Sequence, residues 1–105
     1  MDAFPRKKRR LLVQFLDRNG VTQTGFTHNL SLTGLFVIPQ VLPETRAPLN
    51  LMLHLPSGRI LHLTGVVARH GPPPGEAGRL AQSVGFGFAL AGYFEEYTQF
   101  VIGLP

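Results

Sequence analysis

The segment Leu49-Asn50-Leu51-Met52-Leu53-His54-Leu55 places a leucine at every second position. Successive side chains of an extended strand point to opposite faces, so this spacing builds one continuous leucine face and one mixed face. A helix would scatter the same leucines around its circumference. Pro56-Ser57-Gly58-Arg59 follows as a turn signal, and Ile60 to Arg69 reads as the returning strand of a hairpin.

The same period recurs along the chain. Leu11 to Leu16 predicts a first strand, Asp17-Arg18-Asn19-Gly20 a tight turn, and Val21 to Thr27 a second strand. Leu35 to Ile38 is a third, closed by Pro39. Val84 to Leu90 alternates Val84, Phe86, Phe88 and Leu90 against Gly85, Gly87 and Ala89, a small face that lets a neighbour approach closely. The proline-rich stretch Gly71 to Gly78 reads as a surface loop. In the tail the period changes: Tyr93, Phe94, Tyr97, Phe100, Val101 and Leu104 form one stripe of a short helix over 92–103, with Glu95, Glu96 and Gln99 on its far side. Six short strands and one helix predict a mainly β fold, a small six-stranded antiparallel barrel with a short C-terminal α-helix closing an end. At 105 residues the chain has room for one modest core. The expected division is a flexible basic arm over 1–10 and a single barrel domain over 11–105.

Charge separates these two parts. Arg6-Lys7-Lys8-Arg9-Arg10 holds five of the ten basic side chains, and with Asp2 gives residues 1–10 a net charge of +4, the whole formal charge of the chain. From residue 11 onward Arg18, Arg46, Arg59, Arg69 and Arg79 are balanced by Asp17, Glu44, Glu76, Glu95 and Glu96. A general nucleic-acid binder spreads basic residues over a face of its fold. Here a neutral body carries one anion-seeking segment.

Downstream lies Asn29-Leu30-Ser31-Leu32-Thr33-Gly34. Arginine presents a planar fork of donors that grips phosphate or stacks on a purine, and Arg6 and Arg10 sit four apart on the arm. Asn29 offers an amide to a base edge and Ser31 a hydroxyl. Gly34 offers a backbone able to take a positive φ where the chain turns into the third strand. Basic termini are commonly solvated tails, and Asn-Leu-Ser is common turn chemistry. Their conjunction is what points to a site for a small, doubly anionic, base-containing ligand.

Arg-x-x-x-Arg followed by (Asp or Asn)-x-Ser-x-x-Gly is the paired motif of the PilZ domain, a bacterial receptor domain for cyclic di-GMP, and this chain resembles that family. The likeness extends through Gly34-Leu35-Phe36-Val37, Gly65-Val66-Val67-Ala68-Arg69 and Gly85-Phe86-Gly87-Phe88. It implies a six-stranded antiparallel barrel that binds the dinucleotide on its outer surface. Arg6 and Arg10 would hold phosphates and guanine faces, and Asn29, Ser31 and Gly34 would shape the guanine pocket. The arm would fold over the ligand, and the complex would act on an effector protein.

Other chemistries find little footing. The chain has no cysteine, hence no disulfide, zinc-thiolate site or thiol nucleophile. His28, His54, His62 and His70 lack metal-ligand spacing, although His54 and His62 fall on one predicted hairpin. No Ser-His-carboxylate relay is discernible, so no catalytic residue, metal or cofactor is expected and the chain reads as a non-enzyme. Leu11 to Leu16 is too broken for a secretory leader, and no apolar run reaches the roughly 20 residues a membrane helix needs. The expectation is a soluble cytoplasmic protein, monomeric or weakly dimeric, binding neither membrane nor polynucleotide. Two rivals stand beside the receptor: a ligand-independent adaptor of the same fold, and a small nucleic-acid-binding barrel using the arm.

Overall fold

The structure, a computed structural model, describes residues 6–73 and 84–105. From residue 74 onward the expected proline-rich loop lies outside the described residues. Among the described residues seven strands precede one helix: β1 Lys7–Lys8, β2 Leu12–Leu16, β3 Thr22–Leu30, β4 Gly34–Pro39, β5 Pro48–His54, β6 Ile60–Gly71, β7 Gly85–Leu90 and α1 Glu95–Ile102. The sheet runs β3-β2-β5-β6-β7-β4 and closes on itself where β4 pairs with β3, every contact antiparallel. This is the six-stranded barrel that the alternation predicts, with β1 as an additional strand.

The leucine period sets which side faces in. Leu49, Leu51 and Leu53 of β5 are buried, as are Leu61 and Leu63 opposite them on β6. On the outer face Met52 stands across from His62, and His54 bonds the Gln14 side chain of β2 at 2.9 Å. Phe15 of β2 and Phe86 of β7 meet edge-to-face across the interior, 5.7 Å between centroids, a geometry their ring quadrupoles favour. Full burial of such side chains stabilises by about 1.5–3 kcal/mol each, which makes this interior the main source of stability.

The turn at 17–20 is held by Asp17. Its carboxylate accepts the Val21 and Asn19 amides at 2.9 and 2.8 Å and the Gln23 side chain at 2.9 Å, while Gly20 takes φ +78°. The Val21 amide, then the Gln23 side chain, hold this carboxyl below its usual value. Helix α1 plugs one end of the barrel with Tyr97 and Val101, four residues apart on one face. Glu95 and Glu96 occupy its first turn, where the dipole favours acids, and Glu96 pairs with Arg59 at the mouth of β6.

Candidate functional site

β1 brings the two halves of the paired motif together. Lys7 and Lys8 align with Leu30 and Asn29 of β3, alongside the part of β3 that β2 does not reach. That pairing sets Arg6 beside Asn29, and its Nε donates to Asn29 Oδ1 at 2.6 Å across 23 residues of sequence. The Thr27 hydroxyl fixes the far end of the arm: it donates to the Arg9 carbonyl at 2.7 Å and accepts the Leu11 amide at 2.8 Å. Between these anchors the Arg10 guanidinium lies 4.0 Å over the centre of the Phe26 ring.

A β-bulge aims Asn29. Thr27 faces Val37 and Asn29 faces Phe36, leaving His28 as the extra residue. Strict alternation from buried Thr27 would send Asn29 into the barrel and Leu30 out. With the bulge, Leu30 joins the core and Asn29 stands on the outer row with Phe36, its Nδ2 3.1 Å from His28 Nδ1.

The turn from β3 into β4 is built around Ser31. Its amide donates to the Gly34 carbonyl at 2.8 Å, and its fully buried hydroxyl lies 3.3 Å from both Thr33 Oγ1 and the Gly34 oxygen. Tyr97 reaches this turn from α1, its hydroxyl 2.8 Å from the Ser31 carbonyl and 3.1 Å from that of Gly34. Gly34 corrects one expectation. Among the described residues those with positive φ are Gly20, Gly58, Gly71, Gly92 and Arg46, so the turn does not use Gly34 for a left-handed backbone. A Cβ there would overlap the main-chain oxygen of Phe88. Glycine is required because β7 passes against it.

Arg6 and Arg10 therefore serve two grooves on one outer face. Arg6 borders a cavity of about 200 Å³ with Thr33, Gly34, Phe36 and Arg69. Arg10 borders one of about 520 Å³ with Lys8, Phe26, His28 and Ile38. Phe36 and Ile38 are two residues apart on β4, roughly 7 Å at the rise of a strand. The arm is tied elsewhere by main-chain oxygens: Lys7 donates to Leu104 at 3.0 Å, and Arg9 to Pro105 at 3.0 Å. Like charges crowd along one edge of two grooves with apolar floors, an arrangement suited to a flat ligand carrying more than one negative charge.

The family model for the PilZ domain matches residues 3–92. The chain belongs to the PilZ domain family. Solved PilZ structures share its fold. The PilZ domain of Escherichia coli YcgR with c-di-GMP superposes at a TM-score of 0.75 and 9% identity, over 96% of this chain and 86% of that one. The Bacillus subtilis inhibitor of motility, MotI/DgrA, gives 0.74 at 18% identity over 96% of this chain, which spans 47% of that protein's length. The PilZ domain of CeSA from a cellulose-synthesizing bacterium gives 0.61 at 20% identity, over 93% of this chain and 91% of that one. No curated protein matches the sequence at a significant level. Family membership makes the chain a non-catalytic domain. Among the described residues no helix is long and apolar enough to cross a membrane.

Sequence reasoning missed three contributors to this PilZ surface. Tyr97 reads as one more apolar position in the helical stripe, and only the fold shows its hydroxyl bracing the motif turn. Phe26 and Phe36 read as strand residues, with nothing in the sequence to mark their rings as surfaces for arginine.

Proposed function

We propose that the chain is a non-catalytic receptor for cyclic di-GMP that passes the binding signal to a partner protein. The observation that carries this reading is the Arg6–Asn29 hydrogen bond, which joins the arginine arm to the Asn-x-Ser-x-x-Gly loop in one outer-surface site. The solved YcgR domain with c-di-GMP, of the same fold, supports the choice of ligand. Arg6 and Arg10 supply bidentate forks to the two phosphates and flat faces to the guanines. Asn29 bonds a guanine edge, Ser31 holds the turn, and Gly34 keeps the strand beneath it close to β7. Two phosphates offset the repulsion among five adjacent cations.

The arm pairs with the barrel through a strand of only two residues, its other ties being single side-chain contacts that ligand groups can replace. Its contacts with Leu104 and Pro105 couple any movement of the arm to the segment after α1. Tyr93, just before α1, and Ile102, its last residue, are 72% and 63% exposed and offer apolar area to an effector. A cytoplasmic location accompanies this role.

Isothermal titration of the purified chain with cyclic di-GMP is the test. Saturable binding that is lost in Arg10→Ala and strongly weakened in Ser31→Ala supports the receptor. No heat at high ligand concentration, together with an unchanged pulldown of an effector with and without the dinucleotide, assigns the chain to a ligand-independent adaptor.

A further inference from the structure

A second β-bulge stands opposite the first. On β6, Val67 faces Phe88 and Arg69 faces Gly87, leaving Ala68 as the extra residue. Alternation from buried Leu63 and Val67 would turn Arg69 into the core. The bulge places it outside instead, as the bulge at His28 does for Asn29. The registers then compose one row across four strands: Asn29 beside Phe36, Phe36 beside Gly87, Gly87 beside Arg69. Two separate irregularities bring their polar side chains into a single line, with an aromatic ring and a glycine between them.

Phe36 has an unusual position. Its neighbours Leu35 and Val37 belong to the core, whereas Phe36 is fully buried without joining that packing. Its ring lies on the outer wall, and the Arg69 guanidinium covers it at 5.3 Å from the centroid. The Arg69 stem passes over Gly87. A Cβ at Gly87 would sit 3.6 Å from Arg69 Cγ, an ordinary contact, so only a side chain branching beyond Cβ would reach into the path of the arginine stem. The result is a flat cation backed by an aromatic ring, bordering the same groove as Arg6.

We infer that Arg69 is a third arginine of the ligand site, its guanidinium, lying over Phe36 across Gly87, forming a stacking surface for a guanine base of the dinucleotide. This rests on the receptor reading and adds to the paired motif a residue far from it in sequence. A guanidinium stacks on a purine through its face while its edge keeps the donors available, which an ammonium cannot do. Arginine in place of lysine at this position is thus a matter of shape as well as charge.

The test is titration with cyclic di-GMP of the wild-type chain and of Arg69→Ala, Arg69→Lys and Gly87→Val, each with its unfolding midpoint measured. Arg69 is exposed and Gly87 has an ordinary strand backbone, so all are expected to fold. Arg69→Ala should weaken binding about five- to a hundredfold, the scale of one stacked base. Arg69→Lys should lose nearly as much despite its charge. Gly87→Val should weaken binding with Arg69 still present. Should Gly87→Val prove unfolded, Arg69→Lys decides alone. Wild-type affinity in Arg69→Ala or Arg69→Lys overturns the inference while leaving the receptor reading intact. Absence of binding by the wild-type chain sinks the receptor reading, and this inference with it.

Discussion

The hydroxyl of Tyr97 lies 2.8 Å from the main-chain oxygen of Ser31, tying the helix that closes the barrel to the turn that carries the motif. The stability of α1 and the shape of the candidate site are therefore coupled through one side chain. Removing that hydroxyl leaves two buried carbonyls, on Ser31 and Gly34, without this donor.

Tyr97→Phe should cost about 1 kcal/mol, the net value of a buried hydrogen bond, and lower the melting temperature by roughly 4–8 °C. Affinity for cyclic di-GMP should fall as well, although Tyr97 lies inside the barrel end and away from both grooves. Differential scanning calorimetry and titration on the same variant check both effects. A stability loss with unchanged affinity would mean that the turn keeps its shape without the helix.

Gly34→Ala and Gly20→Ala separate two reasons for glycine. At Gly34 a methyl group would overlap the Phe88 oxygen, so the β4–β7 pairing must open, at a cost on the order of 3 kcal/mol or more. At Gly20 no atom lies within 4 Å of the added carbon, and only the positive φ is penalised, by roughly 1–2 kcal/mol. Urea unfolding of the two variants should show a much larger loss for Gly34→Ala.

The period-two pattern made the barrel legible because a strand's burial is written in its own neighbours: Leu49, Leu51 and Leu53 face in without reference to any other element. The extra strand β1 was not legible. Two lysines carry no apolar signal, and their pairing with Leu30 and Asn29 is made by main chain alone. Gly34 read as a turn glycine because its true constraint, the backbone of β7, arrives from far along the chain. Arg69, and the outward direction of Asn29, were hidden for a related reason. A bulge breaks the alternation that sequence reading depends on, and its position is decided by register against a partner strand. The motif residues themselves were legible, but their convergence needed the fold.

Asn29→Asp should strengthen the site. A carboxylate offers Arg6 and a guanine edge two acceptor oxygens and a charge, and charge-assisted hydrogen bonds are roughly twice as strong as neutral ones. Several-fold tighter binding of cyclic di-GMP is expected by titration. Equal or weaker binding would mean that Asn29 serves Arg6 alone.

Acid should weaken the fold partly through Asp17. Its carboxyl is held low in the folded chain by the Val21 amide and then the Gln23 side chain, so its contribution is present above the ordinary carboxylate value near about pH 4 and is lost as pH falls through the lower folded value. Glu96, held low chiefly by its hydrogen bond from Arg59, works in the same direction. Melting temperatures measured between about pH 6 and pH 2 should fall less steeply in Asp17→Asn than in the wild-type chain. Parallel curves would place the acid sensitivity elsewhere.

The most direct measurement is an amide NMR titration of the isotopically labelled chain with cyclic di-GMP. Saturating shifts should cluster at Arg9, Arg10, Asn29 and Ser31 to Gly34, and extend along the outer row to Gly87 and Arg69, while the β5–β6 hairpin around Pro56 to Arg59 stays unmoved. A spectrum that does not change, or one whose changes gather at that hairpin, would contradict the site described for this protein.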